Sequence, residues 1–134
     1  MVVPEAVKAD MPHAPDHVRL KFANLGGYIA AKCAAFLSRD EAKDAYDMAF
    51  VIMYGPGGPR AAAAAAGAAE SPPHRGPVRA TIISAVTRLA DPRSSWVDVV
   101  IRELHLAGDE SEDDQLRADV VQSAIRFLEA YSPG

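Results

Sequence analysis

Residues 61–66 are six consecutive alanines, followed by Gly67, Ala68 and Ala69. Alanine is the strongest helix former and offers a strand almost nothing to pack. A chain with this run therefore commits part of its length to a helix nearly devoid of side chains. Pro59 suits the first turn of that helix, where a missing N–H breaks no intrahelical bond. With so little apolar surface to bury, the alanine helix is expected to be a peripheral spacer.

Alanine also colours the composition. The apolar fraction is 49% while aromatic residues make up only 7%. Close-packed helices with small side chains follow, rather than a core built on large rings. A length of 134 residues fits one domain or a piece of a larger one, with a single modest core.

Apolar spacing elsewhere repeats the helical theme. Leu25, Ile29, Cys33 and Phe36 recur on one helical face, as do Ala45, Met48, Ala49, Ile52 and Met53. Asn24 is the candidate cap of the first of these helices, and Gly26-Gly27 weakens its opening turn. Ser38 and Glu41 have capping-box spacing and place the break between the two helices near Ser38. "GPGGP" at 55–59 stops the second helix.

After the alanine tract comes a loop, "SPPHRGP", and then a helix opened by Pro77. Its core face is Val78, Ile82, Ala85, Val86 and Leu89, and Asp91-Pro92 ends it. "SSWVDVVIRELHLAG" has both helical and strand character; the capping-box pair Ser95 and Asp98 decides for helix, with Trp96 as a packing anchor. Acids at 109–114 then precede a last helix with the stripe Leu116, Val120, Ala124, Phe127, Leu128 and Tyr131. They read as a solvated first-turn cap.

Only the N-terminus departs from this pattern. Val18, Leu20 and Phe22 alternate with Arg19 and Lys21, the period of a half-buried strand. The expected fold is mainly α: a helical bundle over 24–134, with a short β-hairpin or edge strands within 1–23.

Several functions are excluded or demoted. A net charge of −4 gives no basic footprint for nonspecific nucleic-acid binding. Cys33 is the sole cysteine, so no intramolecular disulfide forms, and it reads as a core residue even though Lys32 could lower its thiol pKa. The four histidines lack ligand spacing. No Walker loop, dinucleotide-binding glycine motif or nucleophile elbow is present. With no signal peptide or membrane-length apolar run, a cytoplasmic location is the default expectation.

One stretch concentrates charge. In "KCAAFLSRDEAKDAYDMAF", residues 32–50, Asp44 and Asp47 lie three apart on one helical face, and Lys43 precedes Asp47 by four. Lys32 and Arg39 are seven apart; a break near Ser38 would put Arg39 at the start of the second helix. Cations from one helix can thus meet carboxylates from the next at a tight corner. Such a corner is either a salt-bridged seam or one side of a phosphate-handling site.

The same stretch resembles the lysine-to-aspartate block of the AbiEii/AbiGii-type nucleotidyltransferases, the toxins of type IV toxin-antitoxin systems. That block runs lysine, small apolar residues, an arginine seven on, a basic residue with an aspartate, and a second aspartate three later. Here the pattern falls on Lys32, Arg39, Lys43-Asp44 and Asp47. The likeness covers about residues 16–60, including "VRLKFANLGGYIAA" as a strand-to-helix entry.

The resemblance implies a C-terminal helical region of an enzyme that moves a nucleotide from an NTP to an acceptor such as tRNA, with Mg²⁺, and that an antitoxin silences. It gives Lys32, Asp44 and Asp47 catalytic roles and Arg39 and Lys43 substrate-binding ones. Lysine at 43 stands where arginine is common and lacks its bidentate fork. The family's N-terminal Gly-Ser turn and strand carboxylates, which hold its metal, have no counterpart here, so this chain alone is expected to be inactive and to contribute no metal ligand. The alternative is a non-catalytic helical interaction module or pseudoenzyme.

Overall fold

Two interruptions in the chain direct the architecture. At Asp40 the backbone turns left-handed, with φ at 52°, and at Gly57 and Gly58 it does so again, at 83° and 77°. Asparagine, aspartate and above all glycine tolerate that region. In the computed structural model, which describes residues 25–69 and 75–131, these turns separate α1 (Leu25–Arg39), α2 (Ala42–Tyr54) and α3 (Gly58–Ala69). Three more helices follow: α4 (Arg75–Thr87), α5 (Ser95–Leu106) and α6 (Asp113–Tyr131). The protein is mainly α, and no strand occurs among the described residues. The hairpin expected within 1–23, the Asn24 cap and His74 lie outside them.

Helices α2, α3 and α4 each touch both α1 and α6, which do not touch one another. The alanine helix is thus a wedge between α1 and α6, with Ala62, Ala63 and Ala66 buried. This corrects the expectation of a peripheral spacer. Short side chains lose little by themselves, but they let backbones approach and let neighbours bury their own large residues against them.

Gly26 shows how close that approach is. A Cβ there would overlap the Ala65 carbonyl oxygen and stand 2.8 Å from the Ala69 Cβ. The glycine that weakens α1's first turn is therefore required for the α1–α3 contact. Gly27, by contrast, faces open space.

The large residues fill the spaces around this wedge. Phe36 and Phe127 are fully enclosed, with Ile29, Met48, Ile52, Ile82, Leu89 and Leu116. The four stripe residues of α1 are all buried; Met53, Val78 and Leu128 are half-buried, and Val121 joins the α6 stripe.

Three boundaries differ from expectation. Ser38 lies inside α1, and Glu41 is the N-cap of α2 with no side-chain cap bond, so there is no capping box. The break comes instead at Asp40, whose N–H donates to the Phe36 carbonyl at 2.9 Å, an αL-type helix stop. The cap of α5 is Ser94, not Ser95: its hydroxyl accepts from the Trp96 N–H at 3.2 Å. Helix α4 begins at Arg75, ahead of Pro77, and gives way at Thr87 to a run of tight turns that reaches Asp91.

Candidate functional site

The turn at Asp40 brings the C-terminal half of α1 against the first turns of α2. Arg39 is the last residue of α1, not the first of α2. Its guanidinium reaches over the turn to Asp44, with Nε–Oδ2 at 3.0 Å and Nη2–Oδ1 at 2.7 Å. Two parallel bonds to one carboxylate make the strongest ion-pair geometry available to a side chain. Asp44 is only 3% exposed, the one buried charged residue among those described. A buried carboxylate needs such a partner to stay charged.

Nearly two turns back along α1, Lys32 meets Asp47 at 2.9 Å. Lys43 approaches the same Asp47 oxygen at 3.9 Å from within α2. The hydrogen bond to Asp47 raises the Lys32 pKa above its usual value, with Asp47, Tyr28 and Asp44 adding electrostatic support. Its ammonium also lies 5.5 Å from the Tyr28 ring centroid. Arg39 is likewise held protonated, first by its bond to Asp44.

A third cation completes the corner. Arg88, just past α4, donates to Asp40 at 3.0 Å and spreads over the Phe36 ring, 5.2 Å from its centroid. Phe36 meets Trp96 edge-on at 4.7 Å. Arg88 and Trp96 were not among the residues the sequence pattern brings to this corner, because they come from later helices. Trp96 packs, as its expected role requires.

All five candidate residues therefore gather at the α1–α2 corner, and they gather on one another. Asp44 has both oxygens engaged by Arg39, and Lys32 and Lys43 share one oxygen of Asp47. These carboxylates do not fit a divalent cation, whose oxygen ligands must be free of competing positive charge. Among the described residues, no cluster of three His, Cys, Asp or Glu could hold a metal ion. Cys33, beneath the corner, is fully buried and 3.5 Å from the Met48 sulfur; burial pushes its thiol up to about 12. It is a core residue, unreactive despite its lysine neighbour.

No family model, curated protein or solved structure matches this chain.

A second feature lies further along α2, on its outer side. Tyr46, Phe50 and Tyr54 are four residues apart, and successive rings meet at a tilt with centroids at 5.6 and 5.1 Å. Phe50 is 45% exposed and Tyr54 50%. Their period of four was legible in the sequence, but the buried stripe of the same helix draws attention away from them. No described helix is long and apolar enough to cross a membrane, so these rings do not belong to a spanning segment.

Proposed function

We propose that this chain is a non-catalytic helical interaction module that docks a protein partner on the outer face of α2. The observation that carries this reading is the Tyr46–Phe50–Tyr54 ladder, in which Phe50 and Tyr54 are exposed and Tyr46 roots the row in the core. Aromatic side chains are enriched at the centres of protein interfaces, where their burial dominates affinity. Rings in contact with one another are also pre-ordered, so little side-chain freedom is lost on binding. The internal pairing of the α1–α2 charges supports the same reading, since it leaves that corner a structural role.

A photo-crosslinking residue at position 50 tests this in cells, with one at Ala64, also exposed, as control. A discrete adduct from position 50, absent from position 64 and competed by the unmodified chain, is the expected result. No adduct at 50, or the same pattern at both positions, would overturn the reading.

A second reading is the C-terminal region of a nucleotidyltransferase, in which Lys32 leaves Asp47 to hold a phosphate. What favours it is the convergence of Lys32, Arg39, Lys43, Asp44 and Asp47 on one corner. Mg²⁺, an NTP, a tRNA acceptor and an antitoxin belong to this reading alone. Calorimetry with NTP and Mg²⁺ separates the two: binding abolished by Lys32→Ala supports the enzyme reading, and unchanged heat supports the module.

A further inference from the structure

Several of the described cations answer to a nearby carboxylate. Arg39 pairs with Asp44, Arg88 with Asp40, Arg117 with Asp98, and Lys32 with Asp47. Arg60, in the first turn of α3, and Arg126, on α6, have no carboxylate within ion-pair distance among the described residues, and neither do the exposed Arg93 and Arg102. Of these four, Arg60 and Arg126 line one cleft, together with Gly57 and Pro59. Arginine cannot shed its proton, so both exposed guanidiniums stay charged, and no carboxylate lines this cleft. In a chain of net charge −4, carboxylates are not scarce.

We infer that the cleft between the start of α3 and α6 binds a small phosphate monoester, its phosphate held by Arg60 and Arg126. The planar fork of each guanidinium matches two phosphate oxygens. Gly57 and Pro59 wall the cleft without offering a competing anion. The cleft measures about 370 Å³, the small end of ligand-binding sites.

Its neighbourhood sets the ligand's direction. Arg126 also lines an adjoining cleft with Tyr54, Asp119, Gln122 and Ser123. Asp119 repels an anion from that end, so the phosphate lies toward Pro59. The ligand's body then runs past Arg126 to the half-exposed Tyr54 ring, which offers a face for a ring or apolar group. Gln122 and Ser123 supply neutral donors and acceptors along the way. The assignment shares Tyr54 with the protein-partner reading but not Phe50, and the arginine variants test it apart from that reading.

Titration calorimetry with phenyl phosphate, inorganic phosphate and benzoate tests the site. Phenyl phosphate binds saturably, and Arg60→Ala and Arg126→Ala each weaken it by about tenfold or more, as loss of a charged hydrogen-bonding partner does. Tyr54→Leu weakens phenyl phosphate while leaving inorganic phosphate unchanged. Arg102→Ala, at an exposed arginine outside the cleft, alters neither. Absence of saturable binding, an equal loss in Arg102→Ala, or benzoate binding as tightly as phenyl phosphate would each overturn the assignment. Circular dichroism of the variants, all at exposed positions, checks that they fold.

Discussion

Helix α1 makes two very different contacts with its neighbours. Against α3 it presents Gly26 to the Ala65 backbone and the Ala69 methyl, a seam made of almost no side chain. Against α2 it presents Lys32 and Arg39, long cations that cross to Asp47 and Asp44. The first contact is specified by what is absent and the second by charge in register. Small residues fix distance and tolerate no addition; ion pairs fix alignment and tolerate repacking. The two seams should therefore fail by different mechanisms.

The α1–α3 seam gives the largest expected effect. Gly26→Ala drives a methyl into the Ala65 carbonyl, with the carbonyl carbon 2.7 Å away. Backbone cannot rotate aside as a side chain can, so the helices must separate and the wedge loosens. Overpacking of this kind costs about 3 kcal/mol, read by denaturant unfolding. A loss under about 1 kcal/mol would show that the seam is less tight than its geometry.

Breaking the corner should cost less. Asp44→Asn keeps the shape but removes the charge that Arg39 grips twice, and we expect a loss of about 1–3 kcal/mol. Leu in place of Asp44 is the sharper case. Only the Asp44 end of this pair is buried, Arg39 being 56% exposed. Buried charges replaced by apolar groups of similar size are often neutral, so Asp44→Leu paired with Arg39→Met should recover much of the stability lost by Asp44→Asn. Recovery would show that the charges set alignment more than stability; continued loss would show the reverse.

Gly67 is the counterpart of Gly26 on the wedge itself. It sits inside α3 with nothing within 4 Å of its would-be Cβ. Gly67→Ala should stabilise by about 0.5–1 kcal/mol through helix propensity and a less free unfolded chain. One methyl is thus expected to have opposite signs inside the seam and away from it, which chemical denaturation of both variants checks directly.

Much of the bundle was legible in the sequence because periodic stripes report burial locally. Leu25, Ile29, Cys33 and Phe36 needed only their own spacing. The alanine helix was misread because side-chain size was taken as packing strength, whereas its place depends on Gly26, a residue of another helix. The Ser38–Glu41 pair had capping-box spacing, but the αL turn at Asp40 stopped α1 two residues later. At the candidate site, the meeting of Lys32 with Asp47 followed from a tight corner, and Arg88 did not, since only the tertiary fold brings α4's end to Asp40. Arg60 and Arg126 carry no local signal for the same reason.

The exposed α5–α6 corner offers the smallest effect and a contrast to the buried one at Asp44. His105 Nε2 lies 2.6 Å from Asp113 Oδ1, and its Nδ1 lies 2.8 Å from the Asp109 carbonyl oxygen. Both partners are acceptors, so both ring nitrogens must carry protons for both bonds to form. The Asp113 bond, then the Asp109 carbonyl, raises the histidine pKa above its ordinary 6.5. A raised folded pKa means the clamp's contribution is fully present below the unfolded value and is lost as pH rises through the folded one. Water screens these exposed partners, so the expected change is slight. Melting temperature should fall a little across that window, and His105→Gln should flatten the fall. NMR titration of the His105 ring checks the cause: a midpoint at or below 6.5 would mean that the two acceptors do not hold the proton, and the corner is then joined by the α5–α6 packing alone.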